Sequence, residues 1–196
     1  MSYRRKDGYW RQAKKEGYRS RAAYKLMQLN KKFGLLKRGD TVLDVGCAPG
    51  GWMQVAREIV GGSGYVLGID LQKISPFEED NVEALQADIT STDVVTMIRG
   101  RKEIFDVVIS DISPNISGIW DVDHFRSVEL SEKALDLAVE LLRSRGNFLV
   151  KVFQGEAIQE FFEKVKAHFS YTKISSPKAS RKSSAEVYVI GKHFSK

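Results

Sequence analysis

The segment Val42-Leu43-Asp44-Val45-Gly46-Cys47-Ala48-Pro49-Gly50-Gly51-Trp52 constrains the fold more than any other part of the chain. It reads as a short buried strand, a glycine-rich turn and the start of a helix, the unit from which open α/β sheets are built. The chain then repeats that alternation. Apolar runs at 41–45, 65–69, 84–87, 106–110 and 148–153 read as strands, and 51–60, 92–99, 125–143 and 156–168 read as helices between or after them. In 125–143, Val128, Leu135, Ala138 and Leu142 fall near helical spacing, with Gly146 just beyond the end. Two more strands are expected at 171–174 and 187–190, separated by the polar, Ser/Lys-rich stretch 175–184 and paired like a hairpin at the sheet edge. The expected fold is α/β: a mostly parallel seven-stranded sheet with helices on both faces and an antiparallel strand near the C-terminus. A length of 196 residues suits one such domain, 1–196.

Upstream of the sheet, residues 1–18 are basic and aromatic, with Tyr3, Tyr9, Trp10 and Tyr18 among the charges and no clear period; they read as an arm. Ser20 is expected to cap a helix running to about Phe33, since Ala22, Leu26, Leu29 and Phe33 form an apolar stripe and Gly34 can end it. Charge is divided along the chain. Residues 1–40 carry 13 Lys/Arg against 3 Asp/Glu, residues 41–163 carry 10 against 21, and residues 164–196 carry 8 against 1. Two basic ends around an acidic middle suggest a polyanion held by the ends, if they meet in space; a Lys-rich surface that keeps the protein soluble is the plainer reading. The single cysteine, Cys47, excludes an internal disulfide and a multi-cysteine zinc site, and His124, His168 and His193 show no ligand spacing. No metal is expected. No apolar run approaches a membrane span and no signal-like segment follows Met1, so the expected location is the cytoplasm, with no membrane partner.

The glycine-rich turn points to a ligand beyond the carboxyl ends of the strands. Gly51 is followed by Trp52-Met53 where a nucleoside-triphosphate loop needs Lys and Ser/Thr, and Ala48 stands where a dinucleotide fingerprint needs its second glycine. What remains is a small nucleoside-like ligand. Asp70, Asp88 and Asp111 end successive strands, where carboxylates can meet ribose hydroxyls and an adenine amino group. Each alone reads as a turn or cap residue; three in corresponding places favour one crevice. Lys151 interrupts the otherwise apolar Phe148–Phe153 run, Glu186 interrupts the last strand candidate, and each needs a partner if buried. Asp111, Lys151, Glu186 and Lys25 could satisfy one another, either as an ion-pair network that fixes the fold or as a catalytic cluster.

The ordered set Ser20-Arg21-Ala22-Ala23-Tyr24-Lys25-Leu26, the glycine loop through Trp52, Ser110-Asp111-Ile112-Ser113-Pro114-Asn115, Val150-Lys151-Val152-Phe153-Gln154-Gly155 and Ser180-Arg181-Lys182-Ser183-Ser184-Ala185-Glu186-Val187-Tyr188 resembles the FtsJ (RrmJ/RlmE) family of ribose 2′-O-methyltransferases over nearly the whole chain. Cys47 and Met53 depart from the family's more usual Ala and Ser. The resemblance implies a Rossmann-like methyltransferase fold and S-adenosylmethionine as cofactor. It implies a catalytic tetrad at Lys25, Asp111, Lys151 and Glu186, and a cofactor site using Gly46, Gly50, Gly51, Trp52, Asp70, Asp88 and Asp111. Such an enzyme must align the 2′-hydroxyl with an already activated methyl group and help remove the proton. Lys151 is the better base, provided it is neutral when it acts; burial, Lys25 and the cofactor sulfonium favour neutrality and the carboxylates oppose it. If the carboxylates prevail, Lys151 instead orients the hydroxyl while deprotonation follows or accompanies methyl transfer.

The substrate implied is ribosomal RNA, a uridine of the A-loop in the large ribosomal subunit, met by a protein that could be monomeric. Arg4, Arg5, Arg11, Arg19, Arg21 and Arg181 are the candidate RNA contacts, the first five within a basic arm and helix spanning 1–38. A tRNA anticodon-loop ribose is the second enzymatic reading. A non-catalytic RNA-binding ribosome assembly factor is the third, disfavoured by the intact tetrad.

Overall fold

Seven strands form one sheet in the order β3-β2-β1-β4-β5-β7-β6 in the computed structural model, which describes residues 8–181 and 184–195. Arg4 and Arg5, two of the candidate RNA contacts, lie outside the described residues. The strands are β1 Thr41–Val45, β2 Tyr65–Asp70, β3 Val82–Gln86, β4 Phe105–Ser110, β5 Leu142–Phe153, β6 Phe169–Ser175 and β7 Glu186–Phe194. Strands β1 to β5 pair in parallel, and β7 runs antiparallel between β5 and β6. The helices are α1 Gly8–Glu16, α2 Ala23–Phe33, α3 Gly51–Val60, α4 Val94–Arg99, α5 Trp120–Leu141 and α6 Ile158–Lys166. The expected sheet, its hairpin edge and its antiparallel strand are all present.

Each face of the sheet is buried under its own helices. Val94 and Ile98 of α4, Leu135, Ala138 and Leu141 of α5, and Phe161 and Val165 of α6 cover one face; Leu26 and Leu29 of α2 with Met53, Val55 and Ala56 of α3 cover the other. Burying each such leucine or isoleucine contributes about 1.5–3 kcal/mol. Strands buried on both sides read as continuous apolar runs, which is why 41–45 matched its prediction residue for residue.

Element ends are where expectation and structure part. Residues 8–16 form a helix that lacks a clear apolar period because it buries only Ala13. Nine residues make a marginal helix in isolation; this one is held by the Tyr9 and Tyr24 rings, 5.4 Å apart, and by the Tyr24 hydroxyl donating to Glu16 at 2.6 Å. Ser20 does not cap α2, which begins at Ala23 after a turn; Ser20 instead packs against Gly51. Helix α5 starts at Trp120, five residues earlier than its apolar stripe suggested, because its first turns bury the polar Asp123 and His124. It also ends sooner, at Leu141, since Leu142 is extended and pairs with Phe105 as the first residue of β5. Strand β3 lies two residues before its expected start, so Asp88 sits in the loop after it. Strand β7 reaches from Glu186 to Phe194, with Glu186 as its first residue.

The order reverses between β1 and β4, and beyond the carboxyl ends of those two strands an open α/β sheet leaves a crevice. The Ser110 hydroxyl ties the strand ends together by donating to the Val45 carbonyl at 2.8 Å.

Candidate active site

The crevice is a cavity of about 480 Å³ lined by Gly46, Ala48, Asp70, Gln72, Asp88 and Asp111 among others. Gly46 adopts φ +75°, and a β-carbon there would come within 2.6 Å of the Ile112 β-carbon, so the turn closes only with glycine. Asp70 accepts from the Ala48 N–H at 2.9 Å and the Gln72 N–H at 2.8 Å, which fixes the turns on both sides of the cavity mouth. Asp88 is exposed and its carboxylate accepts from the backbone N–H and hydroxyl of Thr90, which hold it below the usual carboxylate range. Gly46, Asp70, Asp88 and Asp111 thus line one crevice.

Gly50, Gly51 and Trp52 stand behind that cavity wall. A β-carbon on Gly50 would meet the Arg19 side chain at 2.9 Å, and Gly51 lies against Ser20. The Trp52 indole N–H donates to the Ala22 carbonyl at 2.8 Å, and the ring packs 5.9 Å from Tyr188. These residues dock the N-terminal segment onto the glycine loop. Arg19 belongs to the same docking: its guanidinium donates to the carbonyls of Ser75 and Pro76 and lies 3.8 Å from the centre of the Phe77 ring.

Asp44 carries the sharpest electrostatic signal. It is 1% exposed, neither carboxylate oxygen has a hydrogen-bond partner, and it lines a small gap shared with Gly46, Trp52 and Asp111. Burial, reinforced by Asp111 and Asp70, pushes its pKa well above the ordinary value. An unpartnered buried carboxylate is costly unless a cation or N–H donor completes it. Sequence reading missed Asp44, although an acid inside the apolar run Val42–Val45 is the same signal that singled out Lys151.

All four residues of the expected tetrad meet. Lys25 of α2 is 2.8 Å from Glu186 and 3.7 Å from Asp111, and Lys151 of β5 is 3.4 Å from Asp111 and donates to the Asp111 carbonyl at 2.8 Å. Of the two lysines, Glu186 pairs with Lys25, and Asp111 pairs with both. Register explains the meeting: Lys151 faces Tyr188 across β5 and β7, with Glu186 two residues further along the same side. Tyr188, a residue the sequence reading did not select, is fully buried and its hydroxyl donates to Asp111 at 2.7 Å. Burial, then Asp111 and Glu186, raise the Tyr188 pKa well above the ordinary value, so it stays a donor. For Asp111, burial acts to raise the pKa, but Lys151, Lys25 and the Tyr188 hydroxyl outweigh it and hold the carboxyl below its ordinary value.

On the far side of the tetrad, Arg21, Ala22, Lys25, Arg181, Ser184 and Glu186 line a second opening of about 150 Å³. The basic chain ends do come together here. Arg21 donates to the Ala179 carbonyl, the Ala179 N–H donates to Gln28 at 3.0 Å, and Lys32 reaches Ser175 at 3.1 Å. Arg11 is exposed on α1. Among the described residues, no group of three or more His, Cys, Asp or Glu is placed to hold a metal ion.

The model of the FtsJ-like methyltransferase family matches residues 18–194. The ribosomal RNA large subunit methyltransferase E of Methanocaldococcus jannaschii is 55% identical over 97% of this chain and 80% of its own length. Its counterpart in Methanothrix thermoacetophila is 53% identical over 98% and 74%. Among solved structures, a protein described as a ribosomal RNA methyltransferase of Plasmodium falciparum superposes with a TM-score of 0.80 at 28% identity, covering 90% of this chain and 98% of that one. Fibrillarin of Aeropyrum pernix, solved with S-adenosyl-L-methionine bound, shares the fold, with a TM-score of 0.62 at 16% identity over 86% of this chain and 75% of its own.

Proposed function

The chain belongs to the FtsJ-like methyltransferase family, and from that membership we propose that it transfers a methyl group from S-adenosylmethionine to a ribose 2′-hydroxyl of large-subunit ribosomal RNA, at a uridine of the A-loop. The observation that carries this reading is the position of Asp111, which lines the 480 Å³ cavity on one side and anchors both lysines on the other. A donor in the cavity and an acceptor in the basic opening would meet at that residue.

The residues present suit such a cofactor. The cavity has the size of a small-ligand site, its rim carries Asp70 and Asp88 for hydroxyl and amino donors, and Asp44 has two buried oxygens awaiting a cationic or N–H partner. Gly46, Gly50, Gly51 and Trp52 shape and back the wall against which it would lie. When bound, S-adenosylmethionine supplies a methyl group already activated by its sulfonium charge.

The chain's own residues then have two tasks. Lys25, paired with Glu186, is held as a cation at the opening and orients the ribose or its phosphate. Lys151 is gripped by the Asp111 carbonyl and carboxylate, on a strand buried on both faces, and is the group placed to act on the 2′-hydroxyl proton. Tyr188 holds Asp111 in the orientation that spans both lysines. Arg21 and Arg181 grip RNA phosphates at the opening they line, and Arg4, Arg5 and Arg11 of the basic arm and helix at 1–38 are further candidate phosphate contacts.

Ribose-methylation mapping of total RNA from cells with and without the protein tests the assignment. Loss of one methylated ribose in the large-subunit RNA is expected. Loss confined to a tRNA anticodon loop would move the substrate, and an unchanged map would reduce the protein to an RNA-binding factor.

A further inference from the structure

The end of the β4–α5 connection and the first residue of α5 expose apolar side chains outside the site proposed for methyl transfer. Ile116, Ile119 and Trp120 are 63%, 62% and 51% exposed. The segment is nevertheless braced. The buried carboxylate of Asp123 accepts from the Ser117 backbone N–H and hydroxyl, each at 2.7 Å, and from the Gly118 N–H at 3.1 Å. Those hydrogen bonds hold the Asp123 carboxyl below its ordinary range, so it remains an ionised acceptor at neutral pH. Clustered exposed apolar side chains are a common feature of binding surfaces.

Trp120 adds a direction. Its indole lies nearly parallel to the Phe153 ring, at 17° and 6.4 Å between centroids. Phe153 is the last residue of β5 and the register partner of Glu186, and it stands two positions beyond Lys151, hence on the same side of the strand. Two residues of strand span about 7 Å. The indole therefore sits at the rim of the tetrad, backed by one aromatic ring and half open to solvent.

We propose that the Trp120 indole, backed by Phe153, is the platform on which an unpaired base at the methylated nucleotide stacks. This rests on the ribose-methylation reading. A ribose whose 2′-hydroxyl reaches Lys151 carries its base within one nucleotide's breadth of that lysine. The cavity behind Asp111 is assigned to the donor, and the opening at Arg21 and Arg181 is matched to phosphates. The flat apolar surface at Trp120 is matched to neither. Asp121 and Asp123 in the first turn of α5 oppose a phosphate there, which favours the uncharged face of a base. Because every base has a π face, the platform sets the placement of the nucleotide more than its identity.

The test compares wild type, Trp120→Ala and Trp120→Phe in methyl transfer from labelled S-adenosylmethionine to large ribosomal subunits, and to protein-free large-subunit RNA, from cells lacking the modification. Loss of a base stack corresponds to about ten- to hundredfold in RNA affinity. Trp120→Ala is expected to raise the RNA KM by that factor on both substrates, with S-adenosylmethionine affinity unchanged. Trp120→Phe should stay within about threefold of wild type. Equal KM values for wild type and Trp120→Ala would overturn the platform while leaving the methyltransferase reading intact. So would a Phe variant as impaired as the Ala variant, which would mark a packing role. A penalty seen on subunits and absent on protein-free RNA would assign the surface to a ribosomal protein and overturn it. A wild-type enzyme that methylates no ribose would overturn both readings.

Discussion

The two sides of the tetrad differ in charge, and the difference follows the chain. Behind Asp111 the cavity and the gap beside it are lined by Asp44, Asp70, Asp88 and Asp111, all from the acidic middle of the sequence. In front of it, the opening is lined by Arg21, Lys25 and Arg181 with the single acid Glu186, all from the basic ends. One side is built for a compact ligand carrying positive charge, the other for a polyanion. The tetrad is where the two fields meet, and its paired lysines and carboxylates neutralise one another at the boundary. A division along the sequence that suggested only a polyanion partner thus becomes a division across the cluster of Lys25, Asp111, Lys151 and Glu186.

The acidic side is broken most severely at Asp44. Asp44→Asn is expected to weaken S-adenosylmethionine binding by about ten- to hundredfold, the scale of a lost charged hydrogen bond, as measured by titration calorimetry. The same change should raise the melting temperature of the ligand-free protein at neutral pH. The folded-state pKa of Asp44 is raised, so the wild-type penalty grows as pH climbs above the unfolded value near 4 and vanishes below it. The advantage of the variant should shrink accordingly on acidification.

The basic side is broken by Arg21→Gln combined with Arg181→Gln. RNA affinity should fall about tenfold near physiological salt, and the slope of log affinity against log salt should drop by about 1.5–2. S-adenosylmethionine binding should not move. An unaltered slope would return these arginines to a solubility role. At the boundary itself, Tyr188→Phe removes the hydroxyl that orients Asp111 and should slow turnover about five- to tenfold while leaving both affinities intact. The smallest effect concerns pH. Asp111 has a depressed folded-state pKa, so the stability it adds is full above the unfolded value near 4 and is lost as pH falls through the folded value. Urea unfolding of wild type and Asp111→Asn should therefore differ by a constant amount above about pH 5 and converge in strong acid.

Legibility differed in the same two halves. The strand-ending carboxylates and the glycine loop were readable because a buried parallel strand is a run of apolar residues with a sharp polar end, as at Val45–Gly46 and Ser110–Asp111. Lys151 and Glu186 were readable as charges where none belongs. Asp44 breaks the same rule in β1, across β4 from β5, but the glycines that follow it make the loop the stronger local signal. Tyr188 was invisible as a site residue, since a tyrosine in an apolar strand signals only burial; the β5–β7 register puts its hydroxyl on Asp111. The N-terminal helix was missed for a different reason. Residues 8–16 bury one alanine and depend on Tyr9, Tyr18 and Tyr24 finding one another and Glu58, contacts that no local period encodes. Helix α5 lost its first turns to the reading because Asp123 and His124 are buried by hydrogen bonds: Asp123 to the segment before it, and His124 between the Phe153 carbonyl and the Ala157 N–H.

The central claim is that Lys151 works on the substrate proton at the boundary and has no part in holding the cofactor. Single-turnover methyl transfer by Lys151→Ala, with S-adenosylmethionine and RNA both saturating and both affinities measured alongside, tests it directly. The rate should fall by at least about a hundredfold, the scale of general-base catalysis, while both affinities stay within about threefold of wild type. Wild-type turnover in that variant, or a loss traced wholly to cofactor release, would contradict the account.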